Sequence, residues 1–116
     1  MATKSEIATK VLQKLTVLEA DETKDTDDDT LVQGIYDSVY HILAAEDLVS
    51  WGSGDDVPSN AVLPVVGLVA RECIEEFTVP AQVAQGLILN EQRYKGMLSM
   101  LEHDDYVPEE DEAEYF

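Results

Sequence analysis

The groups that could do chemistry in this chain are two histidines, one cysteine and many carboxylates. His41 follows Asp37 by four residues, so on a helix the two side chains would share a face and could hydrogen-bond. No nucleophile stands at a recognisable spacing from that pair. His103 is expected in solvent, and Cys73 falls on an apolar stripe where a thiol is usually buried and inert. The sequence therefore predicts no catalytic residue, and the chain is interpreted as not being an enzyme.

Metal binding is the next possibility, because Asp25, Asp27 and Asp29 alternate like the opening of a calcium-binding loop. Such a loop needs glycine at its sixth position and a glutamate at its twelfth. Those positions hold Thr30 and Tyr36. The sequence predicts no specific metal site and no cofactor, and it leaves open whether the acidic segment 21–29 attracts cations loosely.

The charge of the chain is unusually negative for its 116 residues. It has 25 acidic residues against 7 lysines and arginines, for a net charge of −18 and a pI of about 4.1. Such a surface repels phosphate, which argues against nucleic-acid binding by charge neutralisation. The longest apolar run, residues 61–70, is shorter than the roughly 20 residues of a membrane span. We expect a soluble protein, made in the cytoplasm, that does not enter a membrane.

Apolar spacing predicts four helices, at residues 4–18, 27–45, 60–77 and 80–102. The first begins at Thr3-Lys4-Ser5-Glu6, which has the form of a capping box. The third is apolar around most of its circumference, which is typical of a central helix. Short connections favour antiparallel neighbours. The predicted fold is all-α, a small antiparallel bundle of about four helices.

Two further features indicate contacts with other proteins. Residues 1–102 form the predicted helical domain, and residues 103–116 form an extended acidic tail that cannot build a core. Large aromatic residues in exposed segments are enriched where proteins meet. Trp51 lies in a predicted loop, and the tail carries Tyr106, Val107, Tyr115 and Phe116.

Over roughly residues 3–101, the order of these elements resembles the order found in a known protein family. A long second helix and an acidic loop before Pro58 lie between the two helices that carry the likeness. The matching stretches are Thr3-Lys4-Ser5-Glu6-Ile7, then Val11-Leu12-Gln13-Lys14-Leu15, and the third helix with Val65, Val69, Ala70 and Phe77. In this pattern the chain is similar to the tail accessory factor and head-completion proteins of short-tailed bacteriophages, which are head-to-tail adaptors.

The resemblance implies a ring of twelve subunits in the neck of a virion. Such a ring binds below the portal protein, continues the DNA channel and contacts a tail or nozzle protein, while DNA passes through without specific binding. The resemblance also implies that the C-terminal tail docks on the portal, for which Tyr106, Val107, Tyr115 and Phe116 are the candidate anchors. A different function fits the same charge: an acidic DNA mimic that inhibits a nucleic-acid-binding protein.

Overall fold

Apart from one isolated β-bridge, all regular secondary structure is helical in residues 1–102, the part of the chain that this computed structural model describes. The predicted all-α class is confirmed. The bridge joins Ala2 to Val57 and ties the start of the chain to the loop before the third helix. The helices are α1 (Lys4–Lys14), α2 (Thr26–Ala45), a short 3-10 turn (Ser59–Ala61), α3 (Val62–Glu72), α4 (Ala81–Leu89) and α5 (Glu91–Glu102).

The predicted capping box starts α1. The Glu6 amide donates to the Thr3 hydroxyl at 3.1 Å, and the Thr3 amide donates to the Glu6 carboxylate at 2.8 Å. The helix ends at Lys14, four residues before the predicted end, because Thr16 adopts a left-handed backbone conformation with φ of 63°. Leu18 is buried all the same, since its amide and that of Val17 turn back to the Leu12 carbonyl. The apolar stripe thus continues beyond the helix.

Helix α2 agrees closely with its prediction. Asp25 is its N-cap and accepts a hydrogen bond from the Asp27 amide at 2.7 Å. Gly34 is tolerated in the middle of the helix and faces open space. None of the helices within residues 1–102 is both long and apolar enough to cross a membrane.

Helix α3 is central, as predicted, and packs against each of the other four helices. Every residue from Pro64 to Ala70 is buried. The helix is shorter than the predicted span 60–77. It begins after the 3-10 turn and ends at Glu72. A turn over residues 73–76 follows, and residues 78–80 before α4 have no regular structure. A residue before proline is disfavoured in helical conformation, which separates this segment from α4.

The predicted single helix at residues 80–102 is two helices, α4 and α5, joined at Asn90. The backbone amide of Asn90 and its side-chain amide both donate to the Gly86 carbonyl, at 3.1 and 2.8 Å. This closes the end of α4, and the Tyr94 amide then bonds to the Asn90 carbonyl to start α5. The apolar spacing of Leu87, Tyr94 and Leu98 continues across the junction. For that reason periodicity alone does not reveal it.

Candidate protein-contact surface

Asp37 and His41, the pair considered for acid–base chemistry, have separate surroundings. The Asp37 carboxylate forms an ion pair with the Lys4 ammonium at 2.8 Å, and this pair links α2 to α1. The exposed His41 ring meets the Tyr40 ring edge-on, with centroids 5.5 Å apart. Asp37 therefore contributes to the contact between α1 and α2, and its partner is Lys4 and not His41.

Cys73 is fully buried at the end of α3. Burial, together with the nearby carboxylates of Glu76 and Glu72, raises the pKa of its thiol to about 12. A thiol acts as a nucleophile only after losing its proton. At neutral pH this thiol is protonated and enclosed, so its observed role is packing.

The acids whose spacing resembles a calcium-binding loop lie at the N-terminus of α2. Asp25 caps the helix, and the Asp29 carboxylate binds the Lys24 ammonium at 2.8 Å and the Gln33 amide at 3.0 Å. Partial burial raises the pKa of Asp29, but the hydrogen bonds from Lys24 and Gln33 outweigh it and leave that pKa lowered. Within residues 1–102, no three His, Cys, Asp or Glu side chains are grouped closely enough to hold a metal ion.

Trp51 anchors its loop to α2. Its indole nitrogen donates to the Tyr36 hydroxyl at 3.2 Å, and the Tyr40 hydroxyl donates to the Trp51 carbonyl at 2.6 Å. The residue is half-buried and packs against the core. The next turn is closed by Asp55, whose carboxylate accepts from the Gly52 amide at 3.0 Å. The role of Trp51 in contacting a partner stays a prediction, and residues 52–56, which follow it, are exposed.

The other predicted contact residues are in the tail. Tyr106, Val107, Tyr115 and Phe116 lie outside the described residues, as does His103. Their docking on a portal therefore stays a prediction.

The most unusual surface of the described chain is helix α4. Residues 57–70 and 77–90 are two runs without any charged side chain in a protein that has 25 acids. The first run contains α3, and its lack of charge follows from burial. The second contains α4, of which only Leu87 is buried. Burial within the chain therefore does not explain why α4 carries no charge.

Helix α4 ends in two large exposed apolar side chains. Ile88 is 51% exposed and Leu89 is 75% exposed. Large exposed apolar residues that are grouped, and not scattered singly, are typical of surfaces that meet another protein. We call residues 81–89 the uncharged helix face.

A groove of about 250 Å³ lies between the end of α1 and helices α4 and α5, and part of the uncharged helix face forms one of its walls. Val83, Gly86 and Leu87 supply its α4 side, and Tyr94 supplies its α5 side. Polar groups at its edge come from Lys14, Gln82 and Asn90. Among the described residues, 1–102, no acid lines the groove, although acids outnumber bases more than threefold in the sequence.

Sequence reasoning missed this surface because it placed α4 and α5 on one helix with one buried stripe. The available signal was the uncharged run itself. An uncharged run of this length in a strongly acidic chain indicates either burial in the core or contact with a partner. Only the structure distinguishes the two, since it buries α3 and leaves α4 largely exposed.

The chain matches no protein-family model, no curated protein sequence and no solved structure.

Proposed function

We propose that this chain is a structural subunit that assembles with other proteins, and that the assembly is the head-to-tail adaptor ring of a tailed bacteriophage. The observation that supports assembly best is the uncharged helix face of α4. Ile88 and Leu89 are exposed there, on a helix without charge in a chain whose net charge is −18. Copies that each carry a net charge of −18 repel one another, so they approach most easily where charge is absent.

The charge supports the role of a conduit. DNA carries about one negative charge per 1.7 Å of its axis, and an acidic wall does not bind it. A ring of these chains would let DNA pass without holding it. Four of the seven bases that could attract DNA form ion pairs within the chain. They are Lys4, Lys24, Arg71 and Lys95.

The proposed partners follow from the resemblance to adaptor proteins. Twelve copies would bind below the portal protein in the virion neck, with a tail or nozzle protein on the opposite side. The tail would supply the portal contact through its aromatic residues, and the acids around them would steer it toward basic portal residues.

Co-sedimentation with rings of the portal protein encoded in the same genome tests this proposal. We expect the full chain to sediment with the rings and a chain lacking residues 105–116 to stay in the supernatant. Replacing Tyr115 and Phe116 together by alanine should weaken binding by about 2–4 kcal/mol if both are hot spots. Failure of the full chain to bind portal, together with its co-purification with a DNA-binding enzyme, would favour the DNA-mimic alternative.

A further inference from the structure

We propose that the groove between α1, α4 and α5 binds the chain's own C-terminal segment, residues 103–116, before the chain meets a partner. The inference concerns the free chain and does not depend on the adaptor function. It follows from the charges around the groove, the apolar residues inside it and the reach of the segment.

Two of the three bases that lack an ion-pair partner within residues 1–102 lie at this groove. Four of the seven bases are paired with carboxylates. The other three are Lys10, Lys14 and Arg93. Lys14 lines the groove, and Lys10 lies one helical turn before it on α1. The Arg93 guanidinium lies 5.9 Å from the centre of the Tyr94 ring, which also lines the groove.

The C-terminal segment has the complementary chemistry. Residues 103–116 contain seven acids and no lysine or arginine. The groove offers Val83, Leu87 and the Tyr94 ring to an apolar or aromatic side chain. Lys14 in its lining and Arg93 beside the Tyr94 ring offer positive charge to the acids. The net charge of −18 would repel a separate acidic protein before it reached the groove. An acidic segment of the same chain is already attached close to the groove.

The segment is long enough to reach the groove of its own copy. From Tyr94 to the end of α5 at Glu102 the helix rises about 12 Å, at 1.5 Å per residue. Fourteen extended residues span up to roughly 46–50 Å, so the segment can turn back along α5 with length to spare. A short flexible tether gives an effective concentration in the millimolar range. Even if the segment binds weakly, the groove of each chain would therefore be occupied by that chain's own segment.

This contact would have a consequence for assembly. The segment that we propose for portal docking would be held beside the uncharged helix face until a partner with stronger binding displaces it. Such an arrangement keeps the aromatic residues of the segment away from other copies of the free chain.

Paramagnetic broadening in nuclear magnetic resonance spectra tests the proposal on the full chain. A nitroxide is attached to Gln85→Cys, an exposed position on α4 outside the groove, and in a second sample to Ser38→Cys on α2. Buried Cys73 is not expected to take up the label. Broadening falls steeply with distance, so we expect the Tyr115 and Phe116 side-chain signals to broaden several-fold more from the label on α4. Equal broadening from both sites would overturn the proposal.

Two variants that block the groove provide the decisive comparison. Gly86 lines the groove and a Cβ there meets no atom within 4 Å, so the side chain of Gly86→Trp starts in open space and is expected to block the groove. The matched control is Gly34→Trp on α2, where a Cβ also meets nothing within 4 Å. Lys14→Glu reverses a groove charge and breaks no ion pair within residues 1–102, which keeps the test available if Gly86→Trp does not fold.

We expect Gly86→Trp and Lys14→Glu each to remove the extra broadening and Gly34→Trp to leave it intact. Persistence of the extra broadening in both groove variants would overturn the assignment of the groove. Mixing isotope-labelled copies with spin-labelled copies separates the two possible sources of the segment. Broadening that appears only between different copies would overturn binding within one chain. Because these measurements use the free chain, their failure is distinct from a failure to bind portal.

Discussion

The ring of Tyr94 on α5 lies directly against the backbone of Gly67 on α3. A Cβ added at Gly67 would be no farther than 2.6 Å from three carbons of that ring. Tyr94 is only 5% exposed, and the same residue forms one side of the groove beside α4. Glycine at position 67 thus lets α5 approach the central helix and sets the position of the groove.

Gly67→Ala should destabilise the protein. The added methyl group forces the Tyr94 ring away from α3, and overpacking of this kind costs about 1–3 kcal/mol. Gly34→Ala is the control, because its Cβ meets open space and alanine is favoured over glycine in a helix by up to about 1 kcal/mol. Urea unfolding followed by circular dichroism measures both. An unchanged or raised stability for Gly67→Ala would contradict the close contact.

Tyr40→Phe should loosen the Trp51 loop. It removes the hydrogen bond from the Tyr40 hydroxyl to the Trp51 carbonyl, which is 2.6 Å long and partly buried. A loss of about 0.5–1.5 kcal/mol is expected for such a bond. Trp51 is the only tryptophan, so its fluorescence reports the loop directly. No change in either stability or emission would mean that water replaces the hydroxyl without cost.

The sequence was sufficient to predict the class of the fold and its centre. Burial of seven consecutive residues from Pro64 to Ala70 follows from an apolar run that has no polar face. The helix ends were less predictable, because they depend on single residues. Thr16 adopts a left-handed conformation that a β-branched residue rarely takes, and Asn90 ends a helix in the middle of an unbroken apolar pattern.

The uncharged helix face could not be predicted from the sequence because an apolar run has the same pattern whether it is buried or exposed. The groove forms where α1 meets α4 and α5, which are far from it in sequence, so it cannot be seen before the fold places Lys14 near Tyr94. Trp51 was visible as a candidate contact, but its hydrogen bonds to α2 require the fold.

Cys73 should make stability fall at alkaline pH. Its pKa is raised from 9.0 to about 12 in the folded protein, so the unfolded chain loses the thiol proton first. The thiol's contribution is complete below about pH 9 and is lost as pH rises toward 12, with a slope of up to about 1.4 kcal/mol per pH unit. Burial also raises the pKa of Tyr36, which acts in the same direction.

Cys73→Ala isolates the share of the thiol in that slope. The variant should be less stable at pH 7, because it leaves a cavity, but its stability should decline less between pH 9 and 12. His41→Ala, at an exposed position, should change stability little. Urea unfolding across this pH range provides the measurement, and identical slopes for the wild-type protein and Cys73→Ala would contradict the raised pKa.

Self-association should increase with salt. Repulsion between copies of net charge −18 extends about 30 Å at 0.01 M salt and about 8 Å at 0.15 M. We expect a monomer or small oligomer in dilute buffer, with larger assemblies favoured by salt or by portal. Light scattering that shows a stable dodecamer at low salt, weakened as salt rises, would contradict this expectation.

The uncharged helix face is where we propose that the chain assembles, and one pair of variants tests this directly. Leu89 and Met100 are both 75% exposed, so Leu89→Glu and Met100→Glu add the same charge without disturbing the core. Sedimentation velocity with portal rings measures how many copies bind and whether they form a complete ring. We predict that Leu89→Glu prevents ring formation while Met100→Glu assembles like the wild-type protein. Complete rings formed by Leu89→Glu would show that assembly does not use α4.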